Sequence, residues 1–137
     1  MADPTPTAPA AALSKPEAKP QITFEDFAKV DLRVARIVTA ENHPSADRLF
    51  KLQVDDGSGT RRQLCAGIRG AYQAEELVGR TIIIVANLAP RVIRGEESRG
   101  MLLAASDVPK EAAGAGVERK VILLTTASDI PPGSIVS

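Results

Sequence analysis

From about residue 32 onward, apolar and polar positions alternate along the chain, and the alternation predicts a run of short strands. In Leu32-Arg33-Val34-Ala35-Arg36-Ile37-Val38, a strand puts Arg33, Ala35 and Ile37 on one face and Leu32, Val34, Arg36 and Val38 on the other. The cluster at 41–47 (ENHPSAD) is a turn. Phe50, Leu52 and Val54 then alternate with Lys51 and Gln53, which marks a half-buried second strand. Asp55-Asp56-Gly57-Ser58-Gly59 reads as a hairpin turn leading into a third strand over Arg61 to Ala66. Ala71 to Val78 (AYQAEELV) has helical character, and Gly79 stops it as a C-cap would. Thr81 to Val85 is apolar throughout and is predicted to be a strand buried on both faces. A fifth strand over Met101 to Ala105, a flexible loop over Val108 to Gly116, a last strand over Val121 to Leu124 and a Pro131-Pro132-Gly133 turn complete the pattern.

Three strands, a short helix between the third and fourth, and two more strands is the order of an OB-fold Greek-key barrel. A β-sandwich would want more strands and no helix. The expected class is therefore all-β, a five-stranded OB barrel with extensions at both ends. At the N-terminal side, Thr23-Phe24-Glu25-Asp26-Phe27 comes close to a capping box, and Phe24 and Phe27 share a face. They are expected to plug the end of the core or to meet a partner subunit. Residues 1–21 hold five of the ten prolines and six alanines, too little apolar surface to offset the entropy of ordering. We expect a Pro/Ala-rich disordered tether over 1–21, with a reach of roughly 60 Å at about 3.1 Å per residue, and a single domain over 22–137.

Charge changes the picture locally. The chain carries 17 basic and 17 acidic side chains, so its overall balance points to no polyanionic partner. Between Arg61 and Gly100, however, seven arginines face four glutamates, and every base there is the residue suited to bidentate phosphate contact. The stretch VANLAPRVIRGEESRGM, Val85 to Met101, carries three of those arginines between two apolar strands. Read alone, it is either a binding surface presented by a rigid scaffold or a solvated hairpin loop.

Catalytic and metal chemistry find little support. The single histidine, His43, sits in a turn beside Pro44, where it reads as turn-stabilising or solvated. One His and one Cys cannot supply a tetrahedral zinc set, and no Gly-rich phosphate loop is present. We expect no enzyme, metal or cofactor. Cys65 has no intrachain disulfide partner, no run approaches the roughly 18 apolar residues of a membrane span, and no signal-peptide pattern opens the chain. A cytoplasmic location with no membrane association is expected. With no Trp, one Tyr and three Phe, base stacking is poorly supplied. Arginine, lysine and small polar groups better suit recognition of folded RNA by backbone and shape.

Ordered blocks across about residues 22 to 105 carry a family resemblance. Phe27-Ala-Lys-Val-Asp-Leu-Arg-Val-Ala-Arg-Ile37, His43-Pro-Ser-Ala-Asp-Arg-Leu49, Cys65-Ala-Gly-Ile68, Leu77-Val-Gly-Arg80 and Val85-Ala-Asn-Leu-Ala-Pro-Arg91, with Arg94-Gly95, Ser98 and Gly100-Met101, resemble the tRNA-binding domain family. That domain occurs at the C-terminus of bacterial methionyl-tRNA synthetase, in free-standing structure-specific tRNA-binding proteins and in a eukaryotic synthetase-associated cytokine precursor. The C-terminal type of methionyl-tRNA synthetase is the most similar.

The resemblance implies an OB-fold whose extra elements help make a homodimer, binding tRNA by shape and acting with, or deriving from, an aminoacyl-tRNA synthetase. It carries Asn87, Arg91, Arg94, Ser98 and Met101 over as the binding-loop signature, with arginine at 91 where the family often has lysine. Arg91 and Arg94 are expected on phosphates, Asn87 and Ser98 on sugar or backbone, and Met101 between core and rim, mainly core. Arg33, Arg36 and Lys51 lie in strand blocks that match, and we place them on the binding face by inference. An offshoot of the family resembles peptide-binding export chaperones, so a chaperone-like dimer is the alternative.

Overall fold

The computed structural model describes residues 18–108 and 120–137. The expected tether up to residue 17, and residues 109–116 of the expected flexible loop, lie outside the described residues.

The barrel is built around β1 (Leu32–Asn42). Its first half pairs antiparallel with β4 (Thr81–Val85), from Leu32 opposite Val85 to Arg36 opposite Thr81. Its second half pairs with β2 (Phe50–Asp55), and the register shifts between Ile37 and Thr39. At that irregularity the Ile37 N–H donates to Arg80 O and its carbonyl accepts from Gly79, so the strand changes neighbours without orphaning its backbone. β2 continues into β3 (Arg61–Ala66), and β4 pairs with β7 (Met101–Leu102) through Ile84–Leu102 and Val85–Met101. The order β3-β2-β1-β4-β7 closes when the Arg99 N–H donates to Gln63 O across from β3. This is the expected OB barrel.

The alternation of the strands is what fills it. Ala35, Ile37, Phe50, Leu52, Val54, Leu64, Ile82 and Ile84 all point inward and are buried. The helix expected over 71–78 shortens to α2 (Ala74–Leu77), whose fully buried Leu77 closes one end. Burial of such a leucine contributes about 2 kcal/mol. Val34 is buried on the opposite face of β1, where the chain end returns: Gly133 donates to Val34 O, Val34 donates to Ser134 O, and β10 (Ile135–Val136) pairs with Leu32 and Arg33. The fifth strand expected over 101–105 is split into β7 and β8 (Ala104–Ser106), the latter pairing with β9 (Val121–Leu123).

The N-terminal turn forms as expected. Thr23 caps α1 (Phe24–Ala28) by accepting the Asp26 N–H through Oγ1 at 3.1 Å. Its phenylalanines do not plug this barrel: Phe24 is 77% and Phe27 41% exposed.

Candidate nucleic-acid interface

The stretch after β4 is not an open loop. β5 (Arg91–Ile93) and β6 (Glu96–Ser98) form a hairpin, with Arg91 opposite Ser98 and Ile93 opposite Glu96. Its two-residue turn is Arg94-Gly95, with φ of 51° and 89°. Positive φ at both central positions defines a type I′ turn, which matches strand twist and normally selects Asn-Gly. Gly95 fits without cost, whereas an arginine in the left-handed region costs about 1 kcal/mol. That strain holds a guanidinium at the hairpin tip.

Three elements pin the hairpin to the barrel. From the β1–β2 connection, His43 is buried; its Nδ1 accepts the Ser45 N–H at 2.9 Å, which leaves Nε2 to donate to Ile93 O at 2.8 Å. From β2, Lys51 Nζ sits 3.5 Å from Glu96. From β3, Gln63 donates to Glu97 O at 2.7 Å, and the Cys65 N–H donates to Ser98 Oγ at 3.0 Å. Burial and the nearby Glu96 carboxylate push the Cys65 thiol up, so it stays protonated and weakly nucleophilic.

The residues expected to bind fall into two groups. Arg91, Arg94 and Met101 are exposed, and among the described residues neither arginine forms an ion pair. Arg94 reaches only Ser45 O, at 3.5 Å. Met101 is 43% exposed, on the rim rather than mainly in the core, because its β7 position faces away from the side chains that fill the barrel. The others are engaged within the fold. Ser98 is buried, and its hydroxyl donates to Gly100 O while accepting from Cys65. Asn87 accepts the Asp31 N–H at 2.9 Å and donates to Lys29 O at 2.6 Å, tying α1 to the start of the rim. Arg33 donates to Asp31 and Gly133, Arg36 pairs with Asp129 at 3.1 Å, and Lys51 is held by Glu41 and Glu96.

One arginine that the sequence reading did not single out organises the other side of the rim. Arg62 donates to Asp56 at 2.8 Å and, through one Nη, to Ala86 O at 2.9 Å and Arg99 O at 2.6 Å. It thereby ties the β2–β3 turn, the end of β4 and the return from the hairpin together. Burial pushes the Asp56 carboxyl up, but hydrogen bonds from Ser58 and Arg62 outweigh it and hold the carboxyl below its ordinary range. Gly100 belongs to the same junction: at φ +124° a Cβ there would stand 2.8 Å from Val85 O. Only a glycine lets β7 approach β4 so closely.

A closed OB barrel that lifts arginines on a braced hairpin beside the turn between β2 and β3 has the architecture of an oligonucleotide-binding module. Residues 32–134 match the family model described as "Putative tRNA binding domain", and the chain belongs to that family. Over 97 residues it is 53% identical to methionine–tRNA ligase 1 of Sorangium cellulosum, covering 71% of this chain and 14% of that protein. Over 91 residues it is 50% identical to the methionine–tRNA ligase of Pyrococcus furiosus, covering 66% and 12%. The chain thus spans about one-seventh of the length of these enzymes or less. Among solved structures, a MetRS-related protein from Pyrococcus horikoshii superposes with TM-score 0.73 at 30% identity, covering 87% of this chain and all of that one. The chaperone CsaA from Bacillus anthracis superposes with TM-score 0.71 at 31% identity, covering 86% and 100%. Among the described residues no helix is long and apolar enough to cross a membrane.

Proposed function

We propose that this chain is a non-catalytic module that binds tRNA by shape, through the β5–β6 hairpin, and acts with or derives from a methionyl-tRNA synthetase. The observation that carries the reading is the pair Arg91 and Arg94, exposed and without acidic partners among the described residues, on a hairpin braced from three sides. Phosphate recognition needs such cations to be free, and their fixed placement lowers the ordering cost of binding. Ser98, Asn87, Lys51 and His43 act by positioning the hairpin and its approach, while Met101 adds an apolar contact at the rim. Arg33 and Arg36 brace the start of β1 and stand further from the proposed contact.

Fluorescence anisotropy against unfractionated tRNA tests this. With about four cations on phosphates, the slope of log K against log salt should be roughly −3 to −4. Arg91→Ala with Arg94→Ala should weaken binding and flatten the slope; unchanged affinity in that variant would sink the assignment.

A homodimer is part of the same reading. Ile22, Phe24, Phe27 and Val30 are exposed just before β1, and Ile135, 73% exposed, lies on the strand paired to the beginning of β1. Apolar surface of this kind, beside a sheet edge, is what a partner copy would cover. Sedimentation showing only monomer at micromolar concentration would reject it. The likeness to CsaA supports a second reading, a peptide-binding chaperone dimer. It predicts suppressed aggregation of an unfolded client with little affinity for tRNA.

A further inference from the structure

We infer that the cleft between the β2–β3 turn and the segment linking β4 to β5 is a second phosphate-binding subsite, extending the RNA path from the hairpin across the barrel rim. The inference rests on the tRNA-binding reading and goes beyond it by assigning Arg61 and Arg99, which the family signature does not include. The cleft has a volume of about 260 Å³; Thr60 and Arg61 stand on one side, Leu88, Pro90 and Arg99 on the other.

The charges in the cleft are not equivalent. Arg62 and Asp56 neutralise each other in a 2.8 Å ion pair that is mostly buried, so neither offers charge to a ligand. Arg62 also donates through Nη1 to Ala86 O and Arg99 O, which makes it the brace of the cleft walls. What is left facing solvent is Arg61 and Arg99. Arg61 is exposed and has no ion pair or hydrogen-bonded side-chain partner among the described residues. Its neighbour across the strands, Asp55, turns Oδ1 to the Gly57 N–H instead. Arg99 meets only Glu97, at 3.6 Å with both side chains more than half exposed, a pairing that a phosphate can displace at little cost. Leu88, 39% exposed, and Pro90 supply a short apolar wall beside these cations. Two cations flanking a small apolar surface suit a phosphodiester with its ribose, and the cleft lacks the aromatic platform that base stacking would use.

Position supports the same occupant. Pro90 lines the cleft and is followed by Arg91, while Arg99 follows Ser98, the residue opposite Arg91 in the hairpin. Along the backbone, Arg94 stands at the hairpin tip, Arg91 and Arg99 at its open end, and Arg61 where the β2–β3 turn enters β3.

The test compares wild type, Arg61→Ala/Arg99→Ala and Arg91→Ala/Arg94→Ala against unfractionated tRNA at several salt concentrations. Circular dichroism melting confirms that each is folded. The cleft variant should bind roughly tenfold or more weakly, as expected for lost charge-assisted contacts. Its salt slope should be shallower by about 1.5 to 2. Arg61→Lys/Arg99→Lys should keep the wild-type slope. If wild type binds and the hairpin variant weakens while the cleft variant matches wild type, the subsite is overturned and the hairpin reading stands. Weaker binding at an unchanged slope also overturns it, because the lost contacts would not be to phosphate. Wild type that fails to bind tRNA overturns both.

Discussion

Arg94 is predicted to stand against the stability of its own domain. At φ 51° it occupies the first position of a type I′ turn, where asparagine is far better tolerated. Its one hydrogen bond, to Ser45 O at 3.5 Å, is at the limit of what counts as a bond and offsets almost nothing. Arg94→Asn should therefore relieve most of the backbone cost and stabilise the fold by about 0.5–1 kcal/mol. For a domain of this size that raises Tm by roughly 2–5 °C. The same substitution removes a guanidinium from the proposed RNA path, so affinity for tRNA should fall roughly tenfold and the salt slope by about 1. Thermal melting and urea unfolding give the first number, and anisotropy titration gives the second. Gains in stability and losses in binding from a single side chain are the signature of strain kept for function. A variant that is more stable yet binds as well as wild type would refute the functional half, and one that is less stable would refute the strain.

Ser98→Ala should cost about 1–3 kcal/mol, because it leaves the Cys65 N–H without its acceptor in a buried position. Affinity measured on the folded fraction should change less than threefold (about 0.6 kcal/mol). A tenfold loss at unchanged stability would instead make the hydroxyl a direct RNA contact. The Asp56 carboxyl, held below its ordinary range by Ser58 and Arg62, binds its proton less readily when folded than when unfolded. Its contribution to stability is therefore fully present above roughly pH 5 and lost as pH falls through the depressed folded value. The stability advantage of wild type over Asp56→Asn, followed by urea unfolding, should thus shrink on acidification below about pH 4. An advantage that grows there would reverse the sign and refute the assignment.

Where side-chain period decides structure, the chain was legible. Phe50, Leu52 and Val54 alternate with polar residues and face the core, and the unbroken apolar run at 82–84 is buried. The barrel order followed from those runs and the single mid-chain helical segment. The hairpin was not legible as strands, because three-residue strands carry too little alternation and Arg-Gly is an unusual type I′ turn. The site was legible in part. The loop's arginines and the family resemblance point to Arg91 and Arg94, but the commitments of Ser98, Asn87 and Lys51 depend on partners 33 to 58 residues away in the chain. His43 was expected in a turn, yet it is buried there because Ile93, 50 residues on, supplies a carbonyl for Nε2. Arg61 and Arg62 are adjacent and alike in sequence, and only the fold separates the exposed cation from the structural brace.

The bracing of the hairpin by His43, Lys51, Gln63 and the Cys65 amide also bears on the heat of association. A partner docking on this rim meets a surface already in its final shape, so no segment of the hairpin has to fold as it arrives. The heat-capacity change on binding should then reflect only the small apolar area of the rim, far from the large negative value of a coupled folding reaction. In calorimetric terms the domain is a rigid electrode, whose cost of ordering was met when the barrel closed.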